Sequence, residues 1–146
     1  MMARKTYIIA NWKMNFTPDE ATAFINEIKP MIDSEYRTLP DREHTGIGGS
    51  SMGGLMSIYG GVHYNAWFSK AACVSSAIGF CVRPMMKDIR NCPIRPGSRF
   101  FLSWGTREAY GLKDPTRQDR SSRTYKWNKR ASDLLRERGA EVVIGD

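Results

Sequence analysis

A serine set between glycines, Gly49-Ser50-Ser51-Met52-Gly53, separates two stretches of opposite habit and constrains what the chain can become. Ahead of it, Thr45-Gly46-Ile47-Gly48 reads as a short buried strand. Behind it, Leu55-Met56-Ser57-Ile58-Tyr59 opens a helical pattern. A strand, a sharp turn and a helix in that order lift a hydroxyl above the end of a sheet and aim backbone N–H groups at its surroundings. The serine backbone in such a turn is strained. Glycines two residues to either side are expected to let strand and helix pass without a Cβ collision. In this setting G-x-S-x-G is the pattern of a nucleophile elbow, with Ser51 as the nucleophile; a plain Gly/Ser-rich turn is the alternative.

The remaining sequence supplies a sheet for such a turn to end. Thr6-Tyr7-Ile8-Ile9-Ala10 reads as a buried strand. Thr17-Pro18-Asp19-Glu20 is a helix start, with Thr17 as cap, Pro18 at the first helical position and two acids at the positive end of the dipole. Ala21, Phe24, Ile25 and Ile28 give one apolar stripe, and Pro30 should kink or punctuate it. Ala71-Ala72-Cys73-Val74-Ser75 is a second short buried strand, and Arg99-Phe100-Phe101-Leu102-Ser103-Trp104 is the clearest strand of all. Residues 79–96 read as a loop with one helical turn near residues 85–89. Residues 115–138 form a long helix with Gly139 just beyond it, and Glu141-Val142-Val143-Ile144 is a final strand. Strands alternating with helices imply an α/β fold in three layers, a mostly parallel sheet with helices on both faces. At 146 residues the chain is expected to form a single α/β domain.

No apolar run approaches the roughly 18 residues a membrane span needs, and no export signal is evident, so a cytoplasmic protein is expected. The three cysteines match no zinc spacing and are expected to be free and mostly buried; no metal and no cofactor is anticipated. The net charge of +7 is concentrated between Arg117 and Arg138. A nucleic-acid surface is one reading of that run. Interspersed Asp119, Asp133 and Glu137, with Leu134 and Leu135 as an inner side, favour a solvated helix face instead, with no nucleic-acid partner.

A serine nucleophile needs a base, usually histidine, oriented by a carboxylate. Gly105-Thr106-Arg107-Glu108 follows the strong strand, which puts Glu108 at the same edge of the sheet as Ser51 and makes it the candidate acid, with Asp114 second. The two histidines are poorly placed. His44 precedes the strand into the turn and so belongs at the opposite edge. His63 lies near the far end of the following helix, about 18 Å from Ser51 along its axis.

Several blocks carry a resemblance to a known family. They are Glu27-Ile28-Lys29-Pro30-Met31-Ile32-Asp33, Tyr36-Arg37-Thr38, Gly48-Gly49-Ser50-Ser51-Met52-Gly53-Gly54-Leu55, Phe68-Ser69-Lys70, Ala72-Cys73-Val74-Ser75-Ser76-Ala77 and Gly105-Thr106-Arg107-Glu108. Over residues 26–142 the chain resembles the enterochelin-esterase/esterase-D-like group of α/β-hydrolases. The resemblance implies a serine esterase acting on small-molecule carboxylic esters through an acyl-enzyme. Ser51 would be the nucleophile, Glu108 the acid and the Met52 N–H an oxyanion donor. The group's early strands and histidine loop have no counterpart, which implies a truncated sheet and weak or incomplete activity. A non-catalytic or designed scaffold, self-associating through an exposed sheet edge, is the alternative.

Residues 1–30 resemble something different. Ala3-Arg4-Lys5, Ile8-Ile9-Ala10-Asn11-Trp12-Lys13-Met14-Asn15 and Thr17-Pro18 are similar to the opening of triosephosphate isomerase. By that resemblance Asn11 and Lys13 would contact a triose phosphate, and the chain would be a chimera with an isomerase-like βα unit before a hydrolase-like portion at residues 31–146. The chain is too short for an eight-fold barrel of about 250 residues.

Overall fold

The computed structural model describes residues 18–105 and 123–145. Strands β1 (Gly46–Ser50), β2 (Lys70–Val74), β3 (Arg99–Ser103) and β4 (Glu141–Gly145) form one parallel sheet in sequence order. The register is unbroken: Gly46, Lys70, Arg99 and Glu141 align at one end, and Ser50, Val74, Ser103 and Gly145 at the other. Helix α1 (Pro18–Glu35) precedes β1, while α2 (Met52–His63), α3 (Val82–Asn91) and α4 (Arg123–Glu137) make the three crossovers.

Parallel strands added in one direction through right-handed crossovers put every connecting helix on the same face. Burial follows that rule. Ala71, Cys73, Phe100 and Leu102 point into a core closed by Leu55, Ile58 and Val62 of α2, Met85, Met86 and Ile89 of α3, and Ala131, Leu134 and Leu135 of α4. The alternate residues Val74, Phe101 and Val143 are exposed. The fold is therefore α/β on a parallel sheet. Of the expected helices on both faces, α2, α3 and α4 account for one; the strand expected at residues 6–10 lies outside the described residues.

Three local expectations change. β1 is not buried: Gly46, Gly48 and Ser50 are exposed and Ile47 only half-buried. Its glycines carry no side chains to cover it, and among the described residues it pairs on one side only. Residues 82–91 form a full helix rather than a single turn. Pro84 falls in its first turn, where a missing N–H has no acceptor to lose, and Met85, Met86 and Ile89 supply a buried stripe. Pro30 does not end its helix, since α1 runs through it to Glu35. Just before the proline, Lys29 Nζ donates to Asp33 Oδ2 at 2.6 Å and to the Pro40 carbonyl at 2.6 Å, fastening the last turns to the loop that follows.

The end of α4 is as expected. Gly139 has φ +88°, its N–H donates to Arg136 O at 2.9 Å, and the Ala140 N–H donates to Leu135 O at 3.0 Å. These are the paired bonds of a Schellman cap, with Ala140 and Leu135 both buried beside it. A Cβ at Gly139 would meet nothing within 4 Å, so Gly139→Ala carries only the backbone cost of a left-handed residue. The expected loss is about 1 kcal/mol, read as a shift in urea midpoint without a change in slope. Lys126, Lys129 and Arg130 stand on the outer side of α4, and Lys129 pairs with Asp133 at 2.8 Å.

All three cysteines are free; Cys73 is buried, whereas Cys81 and Cys92 are only partly so. No described helix is long and apolar enough to cross a membrane.

Candidate active site

The turn from β1 to α2 places one residue, Ser51, beyond the line of strand ends. Its backbone has φ 57° and ψ −116°, a region that residues with side chains rarely occupy. Three hydrogen bonds impose it. The Ser51 N–H donates to Val74 O at 3.0 Å, and the Ser51 carbonyl accepts from Leu55 N and from Ala77 N, each at 3.0 Å. The first bond continues the β1–β2 ladder, the second starts α2, and the third ties in the turn after β2. Strain of this kind persists only where the surroundings over-determine it. Ser51 itself is exposed.

The flanking glycines do not play equal parts. A Cβ on Gly49 would stand 2.7 Å from the Gly53 carbonyl carbon and 2.8 Å from its Cα, so strand and helix do pass too closely for a side chain there. A Cβ on Gly53 would meet nothing within 4 Å. The second close approach belongs to Gly54, where a Cβ would lie 2.6 Å from Val74 O and 3.1 Å from Ser76 Cα. The sequence pattern marks Gly53; the packing requires Gly54.

Helix α2 begins at Met52, and its first internal bond runs from Leu55 N to Ser51 O. The N–H groups of Met52, Gly53 and Gly54 therefore open the helix without intrahelical acceptors, next to the serine and at the positive end of the dipole. Across the same edge, Ser75 follows β2 with φ 45°, and its N–H donates to Ser103 O at 2.7 Å. Ser76 is buried with a hydroxyl that has no hydrogen-bond partner among the described residues. Nothing in the sequence pattern distinguished Ser75 or Ser76 from ordinary turn serines.

The other candidates divide sharply. Glu108 and Asp114 lie outside the described residues, as do Asn11 and Lys13 of the isomerase-like segment. Both histidines are described, and each is engaged away from Ser51. His44 precedes β1, and its Nδ1 sits 2.8 Å from Asp41 Oδ1, which lowers the Asp41 pKa below the usual carboxylate range. His63 closes α2, with Nε2 3.1 Å from Asp88 Oδ2 and its ring stacked on Tyr59 at 4.2 Å. The site as described thus combines a strained serine with free helix N–H groups and has no imidazole beside it. Among the described residues no group of three or more His, Cys, Asp or Glu could hold a metal ion.

The far end of the sheet has a clasp that sequence reading missed. Arg42 donates from Nε to Asn65 O at 2.6 Å and from Nη2 to Ser98 Oγ at 2.8 Å, joining the approaches to β1, β2 and β3. Lys70 Nζ donates to Glu43 O at the same end. Arg42 stands in a polar stretch between α1 and β1 and looks like any surface arginine until the loops come together.

The family model for esterases, described as "Putative esterase", matches residues 9–140. The chain belongs to this esterase family. The match begins inside the isomerase-like segment. No curated protein matches this esterase-family chain significantly. Among solved structures it is similar to the enterobactin esterase from Shigella flexneri in the presence of enterobactin, with TM-score 0.63 and 18% identity over 88% of this chain. A ferulic acid esterase superposes with TM-score 0.53 and 19% identity over 86% of this chain. Likeness at this identity concerns the fold. The chain spans 31% of the first of these proteins and 53% of the second.

Proposed function

We propose that the chain carries the nucleophile side of a serine esterase site, with Ser51 as the attacking residue. The observation behind this reading is the backbone of Ser51 at φ 57°, fixed by three hydrogen bonds at the start of a helix. A plain surface turn gains nothing from such strain, whereas a nucleophile gains exposure and a fixed direction of attack. Ser51 Oγ would add to the carbonyl carbon of a carboxylic ester, and the Met52 N–H would donate to the oxygen that gains charge. Collapse would expel the alcohol and leave an acyl-serine for water to cleave. Glu108 remains the candidate acid. Membership of the esterase family, and neighbours named for enterobactin and ferulic acid, support an ester as the substrate class.

The engagement of both histidines favours a second reading, a domain that folds without efficient turnover. Removing the base from a serine triad costs about six orders of magnitude in kcat in the best-measured case. A fluorophosphonate probe separates the two. Covalent labelling at Ser51, absent from Ser51→Ala and accelerated by added imidazole, is the expected result. Equal background on both proteins would leave only the scaffold.

A further inference from the structure

Helix α2 carries Ser51 at one end and a second cluster at the other. His63 closes α2, and Asp88 and Cys92 lie one turn apart at the end of α3, with Cys92 N donating to Asp88 O at 2.8 Å. His63 Nε2 is 3.1 Å from Asp88 Oδ2, and Cys92 Sγ is 3.8 Å from His63 Nδ1. A sulfur, an imidazole and a carboxylate therefore stand in sequence, about 18 Å along α2 from Ser51. The sulfur and the imidazole border an open cavity of about 330 Å³, which His63, Cys92 and Arg95 line together with Asn65 and Pro93. Its wall is pinned. Asn65 Nδ2 donates to Val62 O at 2.6 Å and to Pro93 O at 2.7 Å, and the Tyr59 ring stacks on His63.

Each member has a definable part. The Asp88 carboxylate, 3.1 Å from Nε2, favours the tautomer with its proton on Nε2, which leaves Nδ1 to accept one. Sγ is also 4.0 Å from Nε2, so the sulfur lies beside the ring and within reach of Nδ1. Burial, and after it the Asp88 carboxylate, push the Cys92 pKa up. The resting group is thus a thiol, and it needs a proton acceptor in contact. Once formed, a thiolate of high proton affinity is the stronger nucleophile. Arg95 adds positive charge to the cavity lining, which suits a ligand with carboxylates.

We propose that Cys92, His63 and Asp88 form a thiol–disulfide exchange site for small disulfides that carry carboxylates. His63 Nδ1 takes the Cys92 proton. Sγ attacks one sulfur of the ligand, the ligand's S–S bond breaks, and a new S–S bond joins Cys92 to one half. The departing thiolate takes the proton back from His63. One thiol and one disulfide are consumed, and one of each is formed.

Oxidised glutathione is a suitable probe, with adducts mapped by mass spectrometry. Cys92 should acquire the mixed disulfide at least tenfold faster than Cys81, which shares partial exposure and a raised pKa but has no imidazole contact among the described residues. Buried Cys73 reports folding, since it becomes reactive only if the chain opens. His63→Gln should slow Cys92 about tenfold and leave Cys81 unchanged, while Asp88→Asn, which relieves a carboxylate that raises both thiols, should narrow the ratio of the Cys92 rate to the Cys81 rate. With neutral 2-hydroxyethyl disulfide the preference for Cys92 should shrink, as it should with Arg95→Gln and oxidised glutathione. A wild-type Cys92 no faster than Cys81 overturns the proposal, as does a His63→Gln protein with Cys73 still protected and Cys92 undiminished. If both relay variants expose Cys73, the wild-type rate ratio decides alone.

Discussion

Gly49→Ala is expected to destabilise the protein by about 3 kcal/mol, while Gly53→Ala, four residues away, should be neutral or stabilising. The difference comes from what each new methyl group meets. At Gly49 it would stand 2.7 to 2.8 Å from three backbone atoms of Gly53. Backbone at the mouth of a helix cannot swing aside as a side-chain tip can, so β1 and α2 must separate, and over-packing of this kind costs about 1–3 kcal/mol or more. At Gly53 the methyl group faces open space, and alanine within the first turn of a helix recovers up to roughly 0.5–1 kcal/mol of backbone entropy. Gly54→Ala should behave like Gly49→Ala, because its Cβ would lie 2.6 Å from Val74 O. Urea unfolding of the three variants, followed by circular dichroism, makes the comparison. Equal losses at Gly49 and Gly53 would show that the close passage of β1 and α2 is not the constraint.

Ser51→Gly should abolish covalent reactivity and at the same time make the fold more stable than Ser51→Ala by about 1 kcal/mol. Both variants lack the hydroxyl, so both lose the fluorophosphonate label entirely if Ser51 is the nucleophile. They differ in backbone. Alanine retains the penalty of φ 57° and ψ −116°, whereas glycine enters that region freely. Strain at a functional residue is typically about 1–3 kcal/mol, and the greater freedom of glycine in the unfolded chain offsets part of the gain. A thermal melt of the two variants reads the difference. A glycine variant no more stable than alanine would mean that the turn stores no strain at Ser51, and would remove the main support for a nucleophile there.

Much of this architecture was legible because strands and helices leave periodic traces. Residues 99–103 read as a strand and form one, and the cap at Gly139 follows from a glycine placed just past an amphipathic run. Helix α3 was less legible, because Pro84 and flanking polar residues resemble loop chemistry. Only a core beneath Met85, Met86 and Ile89 decides for a helix. In the candidate site, Ser51 was marked by its motif. The need for glycine at position 54 was not, since that depends on Val74 O and Ser76 arriving from another strand. His63, Asp88 and Cys92 likewise look like scattered polar residues, 25 and 4 positions apart, until the ends of α2 and α3 meet.

Sequence alone determined the alternating α/β order, the strained serine between strand and helix, and the poor placement of both histidines. All three depend on near neighbours in the chain, where spacing is geometry. Tertiary structure decided which face of the sheet the crossover helices cover, which glycines the turn requires, and which thiol stands beside an imidazole. Those depend on the register of strands brought together across long stretches of chain, and no local pattern encodes the distances between them.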